Sequence, residues 1–89
     1  MIEQSFTLIN KLGLHARAAA RLVETTQTFD SSVSIVFGET QANGKSIMSV
    51  LILAAPCGSE LLFQTDGPEA AEAMQAIGEL INNRFDESE

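Results

Sequence analysis

The chain has 89 residues, of which 45% are hydrophobic and 19% charged, which predicts one packed domain over residues 1–89 and excludes an intrinsically disordered chain. The formal net charge of −7 is unevenly placed: residues 1–59 balance four basic against four acidic side chains, whereas residues 60–89 set Arg84 alone against eight acids. Such a surface repels a polyanion and excludes general nucleic-acid binding, while the basic residues between Lys11 and Lys45 can still meet an anion or an acidic partner locally.

The longest apolar run, Val50 to Pro56, falls far short of the roughly 20 residues that cross a bilayer, so no membrane insertion is expected. Met1-Ile2-Glu3-Gln4-Ser5 lacks the basic start and apolar stretch of a secretory signal. A lone cysteine, Cys57, cannot close an internal disulfide, which fits a reducing, cytoplasmic setting.

Ile2, Phe6 and Leu8 fall on one face of residues 2–9, interrupted by Gln4, and predict a strand. Asn10-Lys11-Leu12-Gly13 reads as a turn. From Ala16 to about Gln27, the residues Ala16, Ala19, Ala20, Val23 and Thr26 recur at helical spacing, and small alanines suit close packing on a sheet. Phe29-Asp30-Ser31-Ser32 breaks that helix. Val33, Ile35 and Phe37 alternate as a second strand, Gly38-Glu39 begins a turn, and Thr40 to Ala42 forms a short third strand.

Ser46 stands where a helix cap belongs, ahead of the apolar segment Ile47 to Ala55. Periodicity does not separate a buried strand from a short helix there; the cap favours helix, and Pro56-Cys57-Gly58 ends it. Leu61, Phe63 and Thr65 alternate as a fourth strand. Asp66-Gly67-Pro68 opens a last helix with Pro68 at an early position, its stripe being Ala70, Met74, Ile77 and Ile81 with Ala73, Leu80 and Phe85 alongside. The resulting order describes an α+β fold, with helices on one face of a mostly antiparallel sheet.

His15 is the only histidine, and it directly precedes the first predicted helix. A helix start offers unpaired N–H groups and partial positive charge, a ready anion site. Ala16 and Arg17 lie in that first turn, and Arg17 and Arg21 add guanidinium groups suited to phosphate oxygens. The same field favours a neutral, nucleophilic imidazole and stabilises negative charge arriving on it. One His and one distant Cys give no metal-ligand spacing. Gly44-Lys45-Ser46 resembles the end of a Walker loop, but Glu39 stands where that loop needs glycine. No serine-nucleophile elbow is present, and a small phosphatase would need an arginine in residues 9–13, which offer only Lys11.

Gly13-Leu14-His15-Ala16-Arg17 closely resembles the active-site segment of the histidine-containing phosphocarrier (HPr) family, and Gly44-Lys45-Ser46-Ile47-Met48 is similar to its second signature. The resemblance implies an open-faced sandwich of four antiparallel strands covered on one face by three helices. It implies that His15 accepts a phosphoryl group through Nδ1 from an enzyme I-type protein and passes it to an EIIA-type protein, with Arg17 assisting and no cofactor. Such a carrier is a stoichiometric partner rather than a turnover enzyme, and nothing asks for an oligomer. It wants an exposed histidine on a rigid edge, with Leu14, Ala20, Ile47, Met48 and Leu51 as candidates for docking and Arg21 and Lys45 for steering. Core packing is the competing role for Ile47 and Leu51. In some family members the serine matching Ser46 is phosphorylated by a dedicated kinase; a plain N-cap is the alternative. The sugar-transport members carry proline after the arginine, where this chain has Ala18, and that departure together with Ile81-Asn82-Asn83-Arg84-Phe85-Asp86-Glu87 looks more like the nitrogen-related NPr branch. A sugar-transport HPr, or a regulatory binding module acting without phosphotransfer, is the alternative.

Overall fold

The computed structural model describes residues 1–88. Its elements run β1 (Ile2–Thr7), α1 (Ala16–Thr26), β2 (Ser32–Phe37), β3 (Thr40–Asn43), α2 (Ile47–Ile52), β4 (Glu60–Asp66), α3 (Ala70–Asn82) and a terminal 3-10 turn over Arg84–Asp86. The four strands form one antiparallel sheet in the order β1-β4-β2-β3. In the register, Phe6 lies opposite Leu61, and Ile35 faces Phe63 on one side and Ala42 on the other. Strand alternation therefore collects Val33, Ile35, Ala42, Leu61, Phe63 and Thr65 on the buried face. The other face is mostly polar, with Gln64 donating to Glu3 and Gln41 to Ser34 beside the half-buried pair Val36 and Leu62. This is the predicted layout: helices on one side, an open sheet face on the other.

Packing explains where the elements depart from expectation. The buried face of α1 is Ala18, Ala19, Leu22, Val23 and Thr26, while Ala16 is exposed and Ala20 half-buried. A buried leucine removes several more methylenes from water than an alanine, at about 0.8 kcal/mol each, so Leu22 sets the helix phase. α2 ends at Ile52 rather than running to Ala55. Ala54 takes a left-handed φ of 50°, which lets both Leu53 and Ala55 turn into the core. α3 begins at Ala70, leaving Pro68 outside it. The turn ahead of α3 is docked instead on the loop after α1, with Asp30 and Glu69 exchanging hydrogen bonds of 2.7 and 3.0 Å. β1 ends at Thr7, two residues early, because Leu8 leaves the ladder to exchange backbone bonds with Gly58 and Ser59.

Candidate functional site

The loop between β1 and α1 is fastened at each end before it reaches His15. Leu8 is tied to the β4 approach as described, and Leu14 N–H donates to the Ala55 carbonyl at 2.9 Å. Gly13 turns the chain with φ of 64°, and its N–H closes on Asn10 O at 3.1 Å. His15 then stands as the N-cap of α1 in extended backbone geometry, its carbonyl accepting from Ala19 N–H at 2.8 Å.

Both ring nitrogens are engaged. Nδ1 accepts from the Arg17 backbone N–H at 3.3 Å, and Nε2 meets the Glu87 carboxylate. An acceptor contact at Nδ1 and a carboxylate at Nε2 select the same neutral tautomer, with the hydrogen on Nε2 and the lone pair on Nδ1. That lone pair is aimed at the first turn of α1, where phosphate oxygens would find N–H donors. The Arg17 side chain is exposed and makes no ion pair among the described residues. His15 and Arg17 line an open depression with Lys11, Leu12, Ala16, Asp86, Glu87 and Ser88.

The ring is thus less bare than expected: the His15 side chain is 27% exposed and one nitrogen is covered. The cover comes from the end of the chain. Phe85 is completely buried and draws the terminal turn onto the helices. Arg84, Phe85 and Asp86 have φ of 55°, 53° and 63°, a left-handed run that costs on the order of 1 kcal/mol or more per non-glycine residue. Burial of the phenylalanine ring offsets part of that cost, and Arg21 holds Asp86 at 3.3 Å. The Asn10 side chain donates to Gly13 O at 2.7 Å and to Glu87 Oε1 at 3.0 Å, so one buried amide joins the loop to the tail.

Burial alone would push the Glu87 carboxyl up, but the hydrogen bonds from Asn10 and His15 and the positive charge of Arg17 outweigh it and hold it below its ordinary value. A carboxyl depressed in the folded state stabilises the fold above its unfolded pKa, and that contribution disappears as the pH falls through the folded value. Glu87→Gln is therefore expected to lower the unfolding free energy by on the order of 1 kcal/mol at pH 7 and by less at pH 3. Urea titrations at the two pH values check this; an equal loss at both would mean that the negative charge contributes nothing.

The family model described as "PTS HPr component phosphorylation site" matches residues 2–83. The chain belongs to the HPr family. The phosphocarrier protein HPr of Neisseria meningitidis serogroup A is 46% identical over 89 residues, covering 100% of both chains. That of Cupriavidus necator is 48% identical over the same length and coverage. Among solved structures, HPr-C-His from Thermoanaerobacter tengcongensis superposes with a TM-score of 0.96 at 34% identity, covering 100% of each chain. The molecule is accordingly an HPr-type phosphocarrier of the phosphotransferase system, with the four-stranded, three-helix HPr fold.

Within this HPr fold, His15, Ala16 and Arg17 come together at the mouth of α1, as the sequence suggested. Ser46 caps α2, accepting from Ser49 N–H at 3.3 Å. Ile47 and Met48 are exposed, at 42% and 70%, so core packing is not the role of Ile47. Leu51 is half-buried against the core, which places it between the two readings. Leu14 is a correction: at 3% exposure it is a core residue and presents no docking surface, because the Leu14 N–H bond to Ala55 turns it inward. Arg21 is paired with Asp86 and Lys45 Nζ donates to Phe29 O at 2.8 Å, so neither charge projects freely. Sequence reasoning missed Glu87 and Asn10. The signal was Phe85, an aromatic residue in an otherwise polar tail, whose burial anchors whatever follows it.

Proposed function

We propose that His15 is the phosphoacceptor of this carrier, taking the phosphoryl group on Nδ1 from an enzyme I-type protein and passing it to an EIIA-type protein. The observation that carries the reading is the N-cap position of His15, with Nδ1 directed at the Arg17 N–H and the exposed Arg17 side chain beside it. Negative charge arriving on Nδ1 meets the positive end of the α1 dipole, so the arrangement stabilises the loaded state without a pocket. The phosphorus must pass between two nucleophiles nearly in line, which an open depression permits and a deep cavity would not. Ile47 and Met48, with Leu51 beneath them, form a small apolar face for weak, exchangeable docking. The carrier acts stoichiometrically, as a monomer and a single domain in the cytoplasm, and turns over no free substrate.

Ala18 supports placement in the regulatory, nitrogen-related branch. A proline there would lack an N–H, whereas Ala18 retains one of the four donors of the helix start. The test is incubation with phosphoenolpyruvate and either a nitrogen-type or a sugar-type enzyme I. The expected product is an acid-labile phosphoprotein formed at a higher kcat/KM with the nitrogen-type donor. Acid-stable label would count against phosphohistidine, and preference for the sugar-type donor against the branch.

A further inference from the structure

Glu87 reaches His15 from 72 residues away in sequence, and the chain accepts unfavourable geometry to bring it there. Three successive non-glycine residues are left-handed. Asn10, which holds the other carboxylate oxygen, is wholly buried and leaves its own Oδ1 without a partner among the described residues. An orphaned buried acceptor is tolerated where the donors of the same amide are needed. Those donors fix Gly13 O, at the turn into His15, and Glu87, on the far side of the ring.

We propose that Glu87, held by Asn10, is the positioning residue for phosphoryl transfer at His15: its carboxylate keeps the hydrogen on Nε2, leaves Nδ1 as the nucleophile, and balances the positive charge of the loaded ring. The inference rests on His15 being the phosphoacceptor. Both halves of the transfer balance without an added proton. The Nδ1 lone pair attacks the donor's phosphorus, the donor's N–P bond breaks with its electron pair returning to that nitrogen, and His15 becomes a phosphoimidazolium whose Nε2–H remains on Glu87. When the acceptor's nitrogen attacks, the Nδ1–P bond breaks and its pair restores neutral imidazole. A carboxylate on the distal nitrogen thus makes the leaving group a neutral ring in place of an anionic one. The charged groups around the ring among the described residues are Lys11 from the loop, Arg17 from α1, and Asp86 and Glu87 from the tail. Among the described residues, Glu87 is the one whose charged side chain bonds it.

The test uses the full 89-residue protein with Glu87→Gln and Glu87→Ala, each loaded by phosphoenolpyruvate and an enzyme I-type protein. Glu87→Ala should slow acceptance by about 10-fold or more with KM for the donor protein unchanged, since the apolar docking face is untouched. Glu87→Gln keeps an acceptor for Nε2–H but no charge, and should recover part of the rate. Hydrolysis of the isolated phosphoproteins gives a second readout: the fast-hydrolysing, Nε2-protonated form should persist to higher pH in the parent than in either variant. A residue that only braced the fold would shift the melting temperature and leave both readouts in place. Should Glu87→Ala fail to fold, the isosteric Glu87→Gln carries the test. Parental rates and superimposable hydrolysis profiles in folded Glu87→Gln would overturn the inference and leave the role of His15 standing. Failure of the parent protein itself to take label would overturn the role of His15.

Discussion

His15→Ala should abolish phosphoryl acceptance while the domain still folds. No other imidazole exists in the chain, and the single thiol, Cys57, is an exposed loop residue outside the depression that His15 lines, so no alternative nitrogen or sulfur can take over. The structural cost should be modest. The cap contact that alanine removes is a long one, 3.3 Å from Nδ1 to Arg17 N, and loss of an N-cap side chain costs about 1 kcal/mol. Removing the Glu87 partner adds a further loss, because a largely buried carboxylate keeps only its bond from Asn10. His15→Asn separates the two effects. Asparagine is a good N-cap, so this variant should melt above His15→Ala, yet it offers no imidazole and should remain unlabelled. Intact-mass analysis after incubation with phosphoenolpyruvate and enzyme I, set beside thermal denaturation, reads both. Label on either variant would place the acceptor elsewhere.

The strands were legible because each has one wet face: Val33-Ile35-Phe37 and Leu61-Phe63-Thr65 alternate cleanly, and the register preserves that alternation across the sheet. Ser46 and His15 were legible as caps because a helix start needs a side-chain acceptor at a fixed position, and both supply one. The phase of α1 was not, since a run of alanines supports more than one stripe and the choice falls to Leu22, which only the assembled core rewards. The end of α2 was hidden for a related reason. Pro56 disfavours helix only at Ala55, and nothing local forbids Leu53 and Ala54 from continuing it; the left-handed Ala54 goes with the burial of its two neighbours. Half of the candidate site could be read from one pentapeptide, Gly13 to Arg17. The other half, Asn10 and Glu87, depends on a contact closed by the whole fold, and an acid in an acidic tail carries no mark of its partner.

Gly13→Ala should be strongly destabilising and should disarm the site as well. Two effects combine at this position. Its φ of 64° lies where an L-residue pays about 1 kcal/mol or more. In addition, an alanine Cβ would stand 2.6 Å from Ala55 O and 2.8 Å from both Cys57 N and Pro56 C. These are backbone atoms, so no rotamer change relieves the overlap. The segment that must move is the one whose Ala55 carbonyl accepts from Leu14 N–H. A total loss of about 3 kcal/mol follows, summing the backbone term and a typical overpacking penalty. Displacement would also pull Gly13 O away from Asn10 Nδ2, now 2.7 Å distant, and with it the amide that holds Glu87. Phosphoryl acceptance should therefore fall by about 10-fold or more even in the folded fraction, since small misplacement of a reacting group is costly. Gly38→Ala supplies the control: its φ of 61° is nearly the same, but nothing lies within 4 Å of the added Cβ, so only the backbone term of about 1 kcal/mol applies and acceptance should be unchanged. Urea unfolding and initial rates of labelling on the two variants decide the matter. Equal destabilisation would mean that the contact of Gly13 with residues 55–57 does not constrain the loop that presents His15.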